Sequence, residues 1–196
     1  MSPASERPVL RVADADAWRA WLEANHTSSP GVQLALAKGI AEGIRYAEAL
    51  DEALCFGWID GRKQGLSDTE WLQTFTPRTA KSIWSQRNRE HIDRLERSGR
   101  LTDRGRLEVD RAKADGRWDA AYAGSRTIEV PDDLAAALAS SPEASAMFAT
   151  LTSQNRFAIL FRIGNVKRAE TRARKITEYV AMLERGETIY PQLRRE

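Results

Sequence analysis

The stretch WIDGRKQGLSDTEWLQTF, Trp58–Phe75, decides the fold. Two strand-like runs flank Gly65-Leu66-Ser67-Asp68, a cluster of turn formers, so the segment reads as a hairpin with a loop of a few residues. In its second arm Trp71, Gln73 and Phe75 alternate with Leu72 and Thr74 at period two. Upstream, Gly31 opens VQLALA, where Val32, Leu34 and Leu36 share one side of a strand. Val9–Val12, bounded by Pro8 and Asp14, reads as an edge strand. Two helices are threaded between these strands. Asp14 is placed to cap one that presents Ala17, Trp18, Trp21 and Leu22 on a single face. Tyr46, Ala49, Leu50, Ala53 and Leu54 make 45–56 an amphipathic helix that ends near Gly57.

Past the hairpin the period changes to that of helices. Ile83–Arg97 carries Trp84, Asn88, His91, Ile92 and Leu95 on one stripe, with Glu90/Arg94 and Asp93/Arg97 at i,i+4 on the other. Gly99 stops it, and Thr102 can cap a helix to about Ala114. Gly124, Ser125 and Thr127 mark 123–130 as a linker. Ser141-Pro142-Glu143 then combines a cap, a first-turn proline and a first-turn acid. Ser153 can cap a helix carrying Phe157, Leu160 and Phe161. A last helix, about 168–185, offers Ala169, Ala173, Ile176, Val180 and Leu183 for burial. The expectation is an α+β protein: a small mixed or antiparallel sheet with helices over 1–122, a linker, and an all-helical C-terminal block over 131–196.

The chain has 196 residues, 42% hydrophobic and 30% charged, a globular composition. A net charge of +2 makes no gross case for nucleic acid or an acidic membrane. The charge is unevenly spread. Residues 1–60 hold five basic and nine acidic side chains, whereas 156–175 hold seven basic and one acidic. Residues 1–12 lack an apolar run of signal length, and no stretch approaches the roughly 20 apolar residues of a spanning helix. The expected location is the cytoplasm.

A search for chemistry leaves little. His26 and His91 stand far apart with no partner at metal-ligand spacing, so neither metal nor cofactor is expected. Cys55, the single cysteine, lies at the apolar end of a helix, where a thiol behaves as a small hydrophobe. The segment FTPRTAKSIWSQRN, Phe75–Asn88, is different. It joins a strand end to a helix start, where free amides together with Arg78 and Lys81 suit an anion. Thr76, Ser82, Ser85 and Asn88 add polar groups and Trp84 a wall, while the hairpin would bring Trp58, Asp60 and Lys63 alongside. The competing reading is that Ser82 is only a cap and that Trp84 and Asn88 hold the helix to the sheet.

Four stretches, EALDEALCFGWIDG (48–61), FTPR-x3-S-x-W-S-x2-N (75–88), AKADGRWDAAY (112–122) and KRAETRARKI (167–176), resemble the YdeI/OmpD-associated, or bacteriocin-protection, proteins. The resemblance runs from Trp18 to Gly186. It implies a role in bacterial stress tolerance and no established enzymatic reaction. The first reading is therefore a non-enzymatic protection protein with an anion or small-ligand pocket, for a small molecule or peptide carboxylate, at Phe75–Asn88. A second is nucleic-acid binding through Arg168, Arg172, Arg174 and Lys175 with the arginines of 87–106. The near-neutral net charge weighs against it. A third is an enzyme at the same pocket, with Asp60 as its acid.

Overall fold

A computed structural model describes residues 7–125 and 127–192. The first six residues of the N-terminal segment, Arg126 of the expected linker and the last four residues of the helical block lie outside them. The chain divides into two compact units, one up to Ala121 and one from Tyr122.

The first unit is built on β1 (Val9–Leu10), β2 (Val32–Ala37), β3 (Trp58–Gly65) and β4 (Glu70–Pro77), in the order β1-β2-β4-β3. The sheet is mixed: β1 runs parallel to β2, and the other pairings are antiparallel. Its helices are α1 (Ala15–Asn25), α2 (Tyr46–Cys55), α3 (Gln86–Arg97) and α4 (Asp103–Ala114). Val32, Leu34 and Leu36 lie opposite Phe75, Gln73 and Trp71. Directly opposed residues share a face, so this is the inward one. Leu34, Leu36 and Phe75 are fully buried against Trp18, Leu22, Leu50 and Leu54. Each such side chain contributes about 1.5–3 kcal/mol. Trp18 ties the layers together: its ring lies 5.7 Å from Phe75 and its indole donates to the Ala49 carbonyl at 3.1 Å. The other face carries Gln33, Ala35, Leu72, Thr74 and Glu70, with Arg11 paired to Glu70.

Local signals set most of the boundaries. Asp14 accepts from Ala17 N at 2.9 Å and starts α1. Ser67 accepts from the amides of Thr69 and Glu70 and closes the hairpin. Thr102 caps α4, and Gly99, at φ +70°, ends the stretch after α3. One start is displaced. Ser82 serves the amide of Thr79, three residues back, and Ser85 caps α3 by accepting from Asn88 N. Residues 78–84 thus form an irregular segment with a turn at 80–81, and Trp84 precedes the helix. The expected i,i+4 ion pairs of α3 also give way: Arg94 bonds Asp51 on α2, and Arg97 donates to the Asp93 carbonyl.

The hairpin contains a bulge between Asp60 and Lys63. In a regular strand residues three apart face opposite ways. The extra residue instead leaves Asp60 opposite Phe75 and Lys63 opposite Gln73, both on the inward face. Gln73, 3% exposed, donates to the Gly61 carbonyl at 2.9 Å and fills the irregularity from within.

The second unit is helical: α5 (Asp132–Ala139), α6 (Pro142–Ala149), α7 (Ser153–Gly164) and α8 (Ala169–Glu184). Ser141 caps α6 as expected, but Thr152 rather than Ser153 caps α7. Leu134, Leu138, Ile159, Leu160, Ile163, Ile176 and Leu183 form its core. Ala169 and Ala173 face solvent, and Tyr179 and Met182 pack in their place. Buried Asn155 bonds Tyr190 through both its amide nitrogen and its carbonyl oxygen, fastening the segment after α8.

Helix α4 packs tightly against the end of α2 at Gly105. A methyl group on Gly105 would fall against the Cys55 carbonyl and within 2.7 Å of Leu101 Cδ1. Helix propensity alone makes Gly105→Ala stabilising by about 0.5–1 kcal/mol. Overpacking reverses the sign, and the variant is expected to lose about 1–3 kcal/mol in a denaturant titration.

Candidate functional site

The site is assembled where β4 ends. Arg78 follows Pro77, and its amide donates to the Gly57 carbonyl at 2.9 Å, which turns the chain back over the end of α2. The side chain goes inward and is 4% exposed. Its guanidinium carbon lies 3.5 Å from the centroid of Trp84, and Nη1 donates to the Ile83 carbonyl at 3.1 Å. Trp84 in turn meets the edge of Trp118, with centroids 4.9 Å apart. Arg89 and Lys113 sit over Trp118 at 5.2 and 5.4 Å, and Arg89 also donates to the Trp118 carbonyl. From below, Arg117 holds the 79–82 turn through the Ser82 carbonyl at 2.9 Å. It also pairs with Asp115, and that bond holds the Asp115 carboxyl below its usual range. Two tryptophans in edge contact are thus flanked by cations from the turn after β4, from α3 and from the end of α4. The indole nitrogen of Trp84 is buried and has no acceptor among the described residues.

The residues named from sequence divide into separate groups. Arg78, Trp84, Ser85 and Asn88 converge, and all four are buried. Ser82 stands at the turn with its hydroxyl on Thr79. Thr76 lies opposite Ile59 on the other face of the sheet. Trp58 is in the core, donating to the His26 carbonyl. Asp60 and Lys63 form a second cluster: Tyr46 donates to Asp60 at 2.9 Å, and Lys63 lies 4.2 Å over the Trp71 ring. The contributions of Trp118, Arg89, Lys113 and Arg117 went unread, although AKADGRWDAAY holds three of the four. A cleft of about 300 Å³ lies elsewhere, on the outer face at Arg11, Ala35, Ala37, Glu42 and Glu70.

In the second unit Arg172 pairs with Asp133 and donates to the Ile163 carbonyl, and Arg174 stands 3.6 Å from Glu178. Arg168 is the N-cap residue of α8, and Lys175 is half-buried. Arg172 and Arg174 are thus engaged within their own unit. Among the described residues no three His, Cys, Asp or Glu side chains gather to hold a metal, and no helix is long and apolar enough to cross a membrane.

Two family models match the chain. Residues 127–186 match bacteriocin-protection, YdeI or OmpD-associated, and residues 10–108 match a domain of unknown function (DUF8412). The chain belongs to the family of unknown function, whose model spans half of it, and residues 127–186 are similar to the YdeI/OmpD-associated, bacteriocin-protection proteins. KRAETRARKI lies in the bacteriocin-protection match, EALDEALCFGWIDG and the Phe75–Asn88 segment in the other, and AKADGRWDAAY between the two. No curated protein and no solved structure matches.

Cys55 belongs to the core beside these groups. Burial, with Glu52 adding, pushes its thiol up to about 11. A raised value means the neutral thiol stabilises the fold fully below the ordinary thiol range, and that contribution is lost as pH rises toward 11. At pH 8 a thiol reagent is expected to label the native chain slowly and the denatured chain rapidly. Fast native labelling at neutral pH would mean an exposed thiolate and contradict this placement.

Proposed function

We propose that this is a non-enzymatic protein of the bacteriocin-protection type that acts by binding, and that its first unit takes an oxyanion, a carboxylate or phosphate, at the Trp84–Trp118 cluster. The observation that carries the reading is the buried indole N–H of Trp84 with no acceptor among the described residues. An unmet buried donor costs about 1–3 kcal/mol, so an acceptor supplied from outside is strongly favoured there. Its surroundings suit a negative one. Arg78 lies on the ring, Arg89 and Lys113 lie on the neighbouring ring, and Lys81 is exposed on the adjoining turn. Guanidinium groups grip such oxyanions through paired N–H donors. The family description of the second unit supports a protective role and names no reaction.

Arg78 is too buried to be the outermost contact, so its role is to polarise and wall the site. Arg89 and Lys113 are the reachable cations. Titrating inorganic phosphate or acetate is expected to quench tryptophan fluorescence saturably. Arg89→Ala with Lys113→Ala should weaken that response at least about tenfold, one or two charge-assisted contacts. A saturable response unchanged in the double variant, or none in the parent protein, would overturn the reading. Arg78→Ala is expected to lower stability by about 2 kcal/mol or more, since it empties a stacked position beside Trp84, and a thermal melt checks this.

A further inference from the structure

A second cluster carries the opposite chemistry. Among the described residues five carboxylates are buried or half-buried: Asp51, Glu52, Asp60, Glu70 and Glu108. Four of them are ion-paired, Asp51 with Arg94, Glu52 with Arg19 and Arg100, Glu70 with Arg11, and Glu108 with Arg104 and Arg111. Asp60 has no ion pair among the described residues. Its bond comes from the Tyr46 hydroxyl, a neutral donor that occupies Oδ2. Two cations lie close by yet sit on rings instead: Lys63 Nζ 4.2 Å from the Trp71 centroid, and Arg87 5.8 Å from that of Tyr46. The two rings are neighbours, with centroids 5.8 Å apart, and both are half-buried.

A carboxylate beside two aromatic faces is an acceptor for organic ammonium ions, which the ring quadrupoles and the charge attract together. We infer that Asp60, Tyr46 and Trp71 form a seat for an ammonium group from outside, with the chain's own Lys63 as the resident occupant that such a ligand displaces. Lys63 is exposed, so its ammonium leaves the ring for water at little cost. The partner is a peptide presenting a lysine-type side chain in an extended segment. The site lies on β3, the outer strand of the sheet, whose outer edge pairs with no other strand among the described residues and can take an added one. The chain's own ammonium and guanidinium on the two rings show which chemistry the seat accepts. This site is independent of the oxyanion reading and of opposite sign.

The experiment follows the tryptophan indole N–H resonances while N-acetyl-trimethyllysine methylamide is titrated into the full chain, with the uncharged tert-butyl analogue as control. The Trp71 resonance is expected to shift saturably with the cation and not with the analogue. Lys63→Ala removes the competitor and is expected to tighten binding about fivefold, the scale of one exposed cation–π contact. Asp60→Asn in that background is expected to weaken it by at least as much. Equal binding of the neutral analogue, or a Lys63→Ala variant that binds no better than the parent, would overturn the proposal. The analogue comparison holds even where Asp60→Asn disturbs the fold.

Discussion

The carbonyl groups at the end of α2 are the constraint around which the first unit is arranged. A helix leaves its last carbonyls without internal partners, and buried ones must find donors elsewhere. Here Cys55 O takes both the amide and the hydroxyl of Thr102, and Gly57 O takes the amide of Arg78. These bonds bring the start of α4 and the end of β4 to one place. Gly57, at φ +70°, supplies the reversal that lets β3 leave the helix at once. A side chain there would meet Glu108, which α4 lays across it with Arg104 and Arg111 as counter-ions. The placement of Arg78, and so of the stack above it, descends from how one helix ends.

Much of this was legible in the chain itself, because the deciding signals are local. Asp14, Thr102 and Ser141 cap the helices they precede, and the alternation of Val32, Leu34, Leu36, Trp71 and Phe75 assigns the inward face. Legibility ended where two local signals compete or where the partner is distant. Ser82 and Ser85 are equally good caps by type. The turn at Thr79 claims the first, and nothing in the residues between them tells which will be taken. Neither Glu52 nor Glu108 carries a local signal of burial, yet both are 2% exposed because arginines remote in sequence or on the next turn reach them. Arg94 points to Asp51 for the same reason.

The candidate site shows the same division. That Arg78 and Trp84 belong together follows from a strand ending beside a turn, which the sequence states. Trp118 and Lys113 arrive from the far end of α4 and Arg89 from α3, a meeting that only tertiary packing arranges. Asp60 and Lys63 share a face only because of an inserted residue. Period-two counting puts them on opposite sides, so the bulge is invisible to any reading that assumes a regular strand.

The order of the strands also bears on how the chain finds its fold. β3 and β4 are joined by a turn of a few residues, and α2 runs directly into β3, so helix and hairpin can assemble from contacts close in sequence. Strand β2 must wait, because its partner β4 lies beyond both, and β1 can pair only with a β2 that is already in place. Closing those longer loops carries the entropic cost that slows folding. The two-residue β1, with only two paired positions to hold it, is expected to complete the sheet last. Until it docks, β2 presents an unpaired edge, and partly folded chains are most open to associating with one another through that edge.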